Sequence, residues 1–104
     1  MQFIHVSLVN ENDKDVEVSN INFADVVWDV LWKVPSSKEK YPWLSTIDPY
    51  GMTWLNGLQL AHVAEELKNL KSETKNSIHI KTIEDTLMFF KNQSTHKYIK
   101  FMGD

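Results

Sequence analysis

Four histidines, several clustered carboxylates and an absence of cysteine define the chemistry this 104-residue chain could do. Without cysteine there is no disulfide, no thiolate metal site and no thiol nucleophile. No two of His5, His62, His79 and His96 stand at the spacing of a helical His-x-x-x-His pair. His62 does have Glu65 and Glu66 three and four residues on, a spacing that places an imidazole and two carboxylates on one helical face. Such a face could hold a divalent metal, although a solvated helix surface is the plainer reading. Asp48, with Tyr50 and His96, could line a small-molecule pocket, and Asp48 near His62 or His96 could make an acid–base pair. An aspartate directly before a proline is more often a turn residue. No serine sits in a Gly-x-Ser-x-Gly setting, and no glycine-rich loop is present to cradle a phosphate. No catalytic residue, metal or other cofactor is implied.

The carboxylates carry a different message. Glu11, Asp13, Asp15 and Glu17 alternate with other residues over seven positions, and Asp25 and Asp29 follow. Residues 1–35 hold these six acids against Lys14 and Lys33, while residues 71–104 hold six lysines against four acids. The whole chain carries a net charge of −3 and no arginine. Arginine is the preferred residue for phosphate and base-edge recognition, so nucleic-acid binding is not expected. An acidic front end suits a basic partner. A solubilising loop is the plainer reading of the same run. Trp28 and Trp32, four residues apart, lie off the main apolar stripe of their helix. They either widen its buried face or form an aromatic ridge beside Asp25 and Asp29 that could anchor a partner or a second copy.

The elements that must position these groups follow from periodicity. Gln2 to Asn10 alternates, with Ile4, Val6 and Leu8 on one face, and predicts a strand. Residues 10–15 are polar and turn-like, and Val16–Ser19 predicts a short strand pairing back as a hairpin. Asn22, with Asp25 three residues on, predicts a helix start. Phe23, Val26, Val27, Val30, Leu31 and Val34 make its apolar stripe, and Pro35 ends it. Ser36–Lys40 reads as a loop and Trp43–Ile47 as a short extended segment. Asp48-Pro-Tyr-Gly predicts a tight turn. Asn56 and Gln59 form a capping box, and Leu55 and Leu60 a hydrophobic staple. The helix they launch runs through Leu60, Val63, Ala64, Leu67 and Leu70, with Glu65, Glu66 and Lys68 toward water. Residues 71–77 read as a linker and Ile78–Ile80 as extended. Thr82 and Asp85 predict a third helix ending near Asn92. His96–Met102 alternates and predicts a terminal strand that pairs with the first. The fold expected is a single α+β domain over residues 1–104, with about three helices and a small, mainly antiparallel sheet that includes both terminal strands. No signal peptide and no membrane span are expected.

Asp48-Pro-Tyr-Gly-Met-Thr-Trp-Leu-Asn56, followed by Gln59 and Glu65-Glu66-Leu67, resembles a motif of small uncharacterised bacterial proteins. The ending from His96 to Gly103-Asp104 resembles the same group. The likeness covers about residues 41–104, and Met52 departs from the acidic residue that its pattern leads one to expect. Proteins of this size, charge and style include immunity proteins that neutralise toxins of contact-dependent competition systems. The resemblance therefore implies a cytoplasmic, non-enzymatic protein whose partner is a cognate toxin domain, a basic nuclease above all. The partner-binding residues expected are Glu11, Asp13, Asp15, Glu17, Asp25 and Asp29, mimicking substrate phosphates, with Trp28 and Trp32. The oligomeric state stays open.

Overall fold

The structure, a computed structural model, describes residues 3–33, 36–91 and 97–103. It is an α+β fold in which helices cover one face of a four-stranded antiparallel sheet. The strands are β1 (Ile4–Asn10), β2 (Asp15–Asn22), β3 (Met52–Leu55) and β4 (Lys97–Gly103), in the order β2-β1-β4-β3. The two terminal strands thus pair in the middle of the sheet, as their alternation predicts, with Val6 opposite Phe101 and Leu8 opposite Ile99. Ile4, Val6, Leu8, Ile99, Phe101 and Leu55 share the covered face and belong to one buried core. Phe23 and Phe101 meet edge to face in that core, with centroids 5.2 Å apart. Among the described residues no helix is long and apolar enough to cross a membrane.

Helix α1 begins at Ala24–Val26 and continues as a π-helical turn, Val27–Leu31, closed by the Trp32 N–H donating to the Val27 carbonyl. Asn22 does hold this helix start, but by a turn, not by a capping box. Its Oδ1 accepts from the Ile4 and Ala24 amides, tying β1 to the first turn of α1, while Asp25 stays exposed. Strand β2 is longer than the expected Val16–Ser19. Val34, Pro35, the loop from Asn92, His96 and Asp104 lie outside the described residues, so the expected stop at Pro35 does too.

Helix α3 (Gly57–Glu73) bears out its sequence signals. The Gln59 amide donates to Asn56 Oδ1 at 3.0 Å, and the Asn56 amide donates to Gln59 Oε1 at 2.9 Å. Leu55 and Leu60 are both buried. The helix runs past Leu70 to Glu73, and α4 (Ser77–Phe90) starts almost at once. Three expectations give way here. Ile78–Ile80 is helical, because Asn76 caps α4 by accepting from the Ile78 and His79 amides. Thr82 is mid-helix, and its hydroxyl donates back to the Ile78 carbonyl. Glu66 is buried, although Glu65 and Lys68 do face water. The loop expected at Ser36–Lys40 contains a short helix, α2 (Ser37–Lys40), and the extended segment expected at Trp43–Ile47 is a 3-10 turn, Leu44–Thr46.

Candidate functional site

The uncovered face of the sheet is built by the registers of its strands. Ser7 lies opposite Lys100 and Val18, Lys100 lies opposite Trp54, and Met102 lies between His5 and Met52. Val18, Met52, Trp54 and Met102 are exposed there, with Val16 at the adjoining irregularity of β2. Among the described residues these side chains are left exposed, so apolar groups face outward on both sides of the central Ser7 and Lys100, of the kind that mark interaction sites. Its centre is polar and tightly held. Lys100 has a side chain only 10% exposed, and its Nζ lies 3.5 Å from Asp13 Oδ1 and 3.7 Å from Asp15 Oδ1. The lysine stem covers the strands while its ammonium reaches the hairpin.

The hairpin turn brings those carboxylates over the sheet. Asn10 organises it: its Oδ1 accepts from the Asn12 and Lys14 amides, and its carbonyl accepts from the Asp13 amide. Asp13 takes φ 58°, a left-handed conformation that aspartate and asparagine tolerate better than most residues. This geometry aims the Asp13 side chain inward, where Oδ1 accepts from Trp54 Nε1 at 3.1 Å. Glu11, Asp13 and Asp15 are therefore gathered at one end of the sheet, beside its open face, whereas Glu17 pairs with core residue Leu8 and lies on the helix-covered side.

Asp25, Asp29, Trp28 and Trp32 lie elsewhere. Trp28 packs on Trp32, with centroids 4.7 Å apart, and edge-on to Tyr50 at 5.7 Å. Tyr50 belongs to the turn joined to Gly103, which pairs with Ile4, so this aromatic group sits at the opposite end of β1. Seven strand residues separate the two groups, about 20 Å. The single docking surface expected from the sequence is thus divided in two. Trp28 is half-buried and Trp32 exposed. Trp28 Nε1 is buried without a hydrogen-bond partner, a situation that costs about 1–3 kcal/mol. Asp29 is engaged by His79 Nε2 at 3.3 Å and Lys33 Nζ at 3.7 Å.

Other constellations resolve into structure. Glu66 accepts the backbone amides of Trp43 and Leu44, and His62 stacks on Trp43 at 5.0 Å, so the His62–Glu65–Glu66 face is largely committed. Among the described residues no group of His, Asp or Glu is arranged to hold a metal. Asp48 Oδ1 accepts the Tyr50 amide at 2.8 Å, the turn its sequence predicts, and His96 lies outside the described residues. A group the sequence reading passed over lines a hollow of about 210 Å³: Lys40 and Tyr41 both donate to Glu73. The hydrogen bonds from Lys40 and Tyr41 hold the Glu73 carboxyl below its ordinary range. Burial first, then the bond to Glu73, pushes the Tyr41 phenol well above its ordinary value. Both shifts move away from neutrality, which is poor tuning for acid–base catalysis near pH 7.

The same group makes stability depend on pH. Glu73 binds its proton less readily folded than unfolded, so its contribution is complete above the unfolded pKa and is lost as pH falls through the folded one. Tyr41 is the reverse: its contribution is complete below the unfolded value of about 10 and is lost as pH rises beyond it. Tyr41→Phe removes one bond to Glu73. Thermal melts of this variant between pH 2 and 7 are expected to show a shallower acid decline, and melts between pH 9 and 12 to lack the wild-type loss above about pH 10. Superimposable pH profiles would count against the assignment.

Lys100 was legible only as an alternating strand residue, and the strand that carries Trp54, Met52–Leu55, was not read from the sequence at all; the clue to their role was the length of Lys100 in the terminal strand. Compared with known proteins, the chain matches no family model, no curated protein and no solved structure.

Proposed function

We propose that this chain is a protein-binding domain of the immunity type, which occupies a basic toxin domain in the cytoplasm and blocks it without chemistry of its own. The observation that carries the reading is the set of exposed apolar side chains on the open sheet face beside three hairpin carboxylates. Apolar side chains supply the buried contact, and the carboxylates steer a basic surface onto it. The residues expected to bind a partner therefore divide: Glu11, Asp13 and Asp15 flank this face, whereas Glu17, Asp25, Asp29, Trp28 and Trp32 stand apart from it. A nuclease fits as partner because its active site attracts phosphate, which carboxylates can mimic.

The charge reversal Glu11→Lys tests the reading, with Glu17→Lys, on the helix-covered side of the sheet, as its control. Both residues are exposed on the hairpin, so each variant is expected to melt within a few degrees of wild type. In Glu11→Lys, association with the toxin domain is expected to slow by about tenfold at low salt, and the difference to shrink as salt rises, with a smaller change in Glu17→Lys. Equal association rates at low salt would sink the electrostatic part. Self-association of the free chain through this face, measured by mass in solution, would replace the toxin with a second copy.

A further inference from the structure

We propose that the hollow between Trp54 and Tyr98 seats one arginine side chain of the partner, an assignment that rests on the protein-binding reading above. The hollow measures about 260 Å³ and is lined by Asn10, Glu11, Asp13, Trp54 and Tyr98. Two walls are aromatic and two rim groups are carboxylates. Trp54 donates its indole N–H to Asp13, which fixes wall and rim relative to each other. Lys100 is held against this rim, but Asp13 and Asp15 share it, so this trio keeps one negative charge in excess; Glu11 and Lys97, which lies opposite Asn10, add one charge of each sign.

The composition of the hollow selects its occupant. An apolar side chain would strip water from the carboxylates and give nothing in return, and an acidic one would be repelled. A cation gains from the ring faces and from the carboxylates together. Arginine fits better than lysine, because a planar guanidinium stacks on an indole while its edge forms a fork with a carboxylate. This chain contains no arginine, so a second copy cannot supply the group. The occupant belongs to a different protein.

The test titrates Nα-acetyl-arginine amide into the isotopically labelled full chain and follows the four indole N–H signals by NMR. Saturable movement of the Trp54 signal is expected. The citrulline analogue, of the same shape without charge, is expected to bind at least about tenfold more weakly. Asp13→Asn keeps a residue that accepts the left-handed turn and is expected to weaken arginine binding by about tenfold. Trp54→Ala is expected to abolish it. Equal binding of citrulline, unchanged affinity in Asp13→Asn, movement centred on Trp28 and Trp32, or no saturable movement would each overturn the assignment. The two readings fail separately. Arginine binding by a chain that neutralises no toxin would leave the hollow and remove the immunity role. Neutralisation without arginine binding would do the opposite.

Discussion

Replacing Gly103 by alanine is expected to lower the unfolding midpoint by roughly 10 °C, the equivalent of about 2–3 kcal/mol for a domain of this size. The reason is contact, since no described glycine has positive φ. A Cβ at Gly103 would lie 2.1 Å from the Pro49 carbonyl oxygen and 2.4 Å from its carbon. Those atoms are backbone in a proline turn and have little room to withdraw. The end of β4 would have to move instead. That breaks the 2.7 Å bond from the Gly103 amide to the Gly51 carbonyl and the pairing of Gly103 with Ile4. Gly51→Ala is the control. Its Cβ would meet the Asp48 carboxylate, a side chain that can rotate, so the loss is expected to be about 1 kcal/mol or less. Calorimetric melts of the two variants compare them directly, and equal midpoints would contradict the clasp.

The second large effect is expected at Glu66. Its buried carboxylate accepts the Leu44 amide at 2.9 Å and the Trp43 amide at 3.0 and 3.1 Å, holding the 3-10 turn against α3. Glu66→Ala leaves both amides without their acceptor in a half-dry setting, and a loss of about 2–4 kcal/mol is expected from chemical denaturation. Glu66→Gln keeps one oxygen within reach of both amides and is expected to lose about half as much. Hydrogen exchange gives the local readout, with the Trp43 and Leu44 amides losing protection before those of β1. An alanine variant as stable as wild type would show that the turn stands without Glu66.

These two sites also explain the pair of motifs on which the resemblance was read. Asp48-Pro-Tyr-Gly and the Gly103 ending are distant in sequence but touch in the fold, so their spacing answers to a backbone contact. The second residue of Glu65-Glu66-Leu67 is an internal acceptor and not a solvated acid.

What was legible in the sequence was what local physics decides. The Asn56–Gln59 box and its staple involve residues within five positions, and α3 starts where they say. Alternation in the terminal strands was equally local, and their hydrophobic faces left one sensible way to pair. The misses are places where a distant partner overrides the local pattern. Thr82 and Asp85 imitate a helix start, but the stronger cap at Asn76 lies six residues earlier, and mid-helix threonine bonds its own backbone. Trp43–Ile47 reads as a short extended segment, but Glu66, from another helix, accepts the Trp43 and Leu44 amides and holds it as a 3-10 turn. The candidate site was half legible. Its acids were visible as a run, but the face beside them depends on the Ser7–Lys100–Trp54 register, which no local signal encodes. Trp28 and Trp32 drew attention by spacing alone, and the strand between them and the hairpin could not be measured from sequence.

The most direct test of the binding proposal is a hydrogen-exchange footprint of the chain with a basic toxin domain of the kind proposed as its partner. The account predicts new protection in the hairpin between Asn10 and Val18 and in the β3–β4 pair, with the Trp28–Trp32 end of α1 unchanged. Protection confined to α1 and the Tyr50 turn, with the hairpin exchanging as in the free chain, would contradict it.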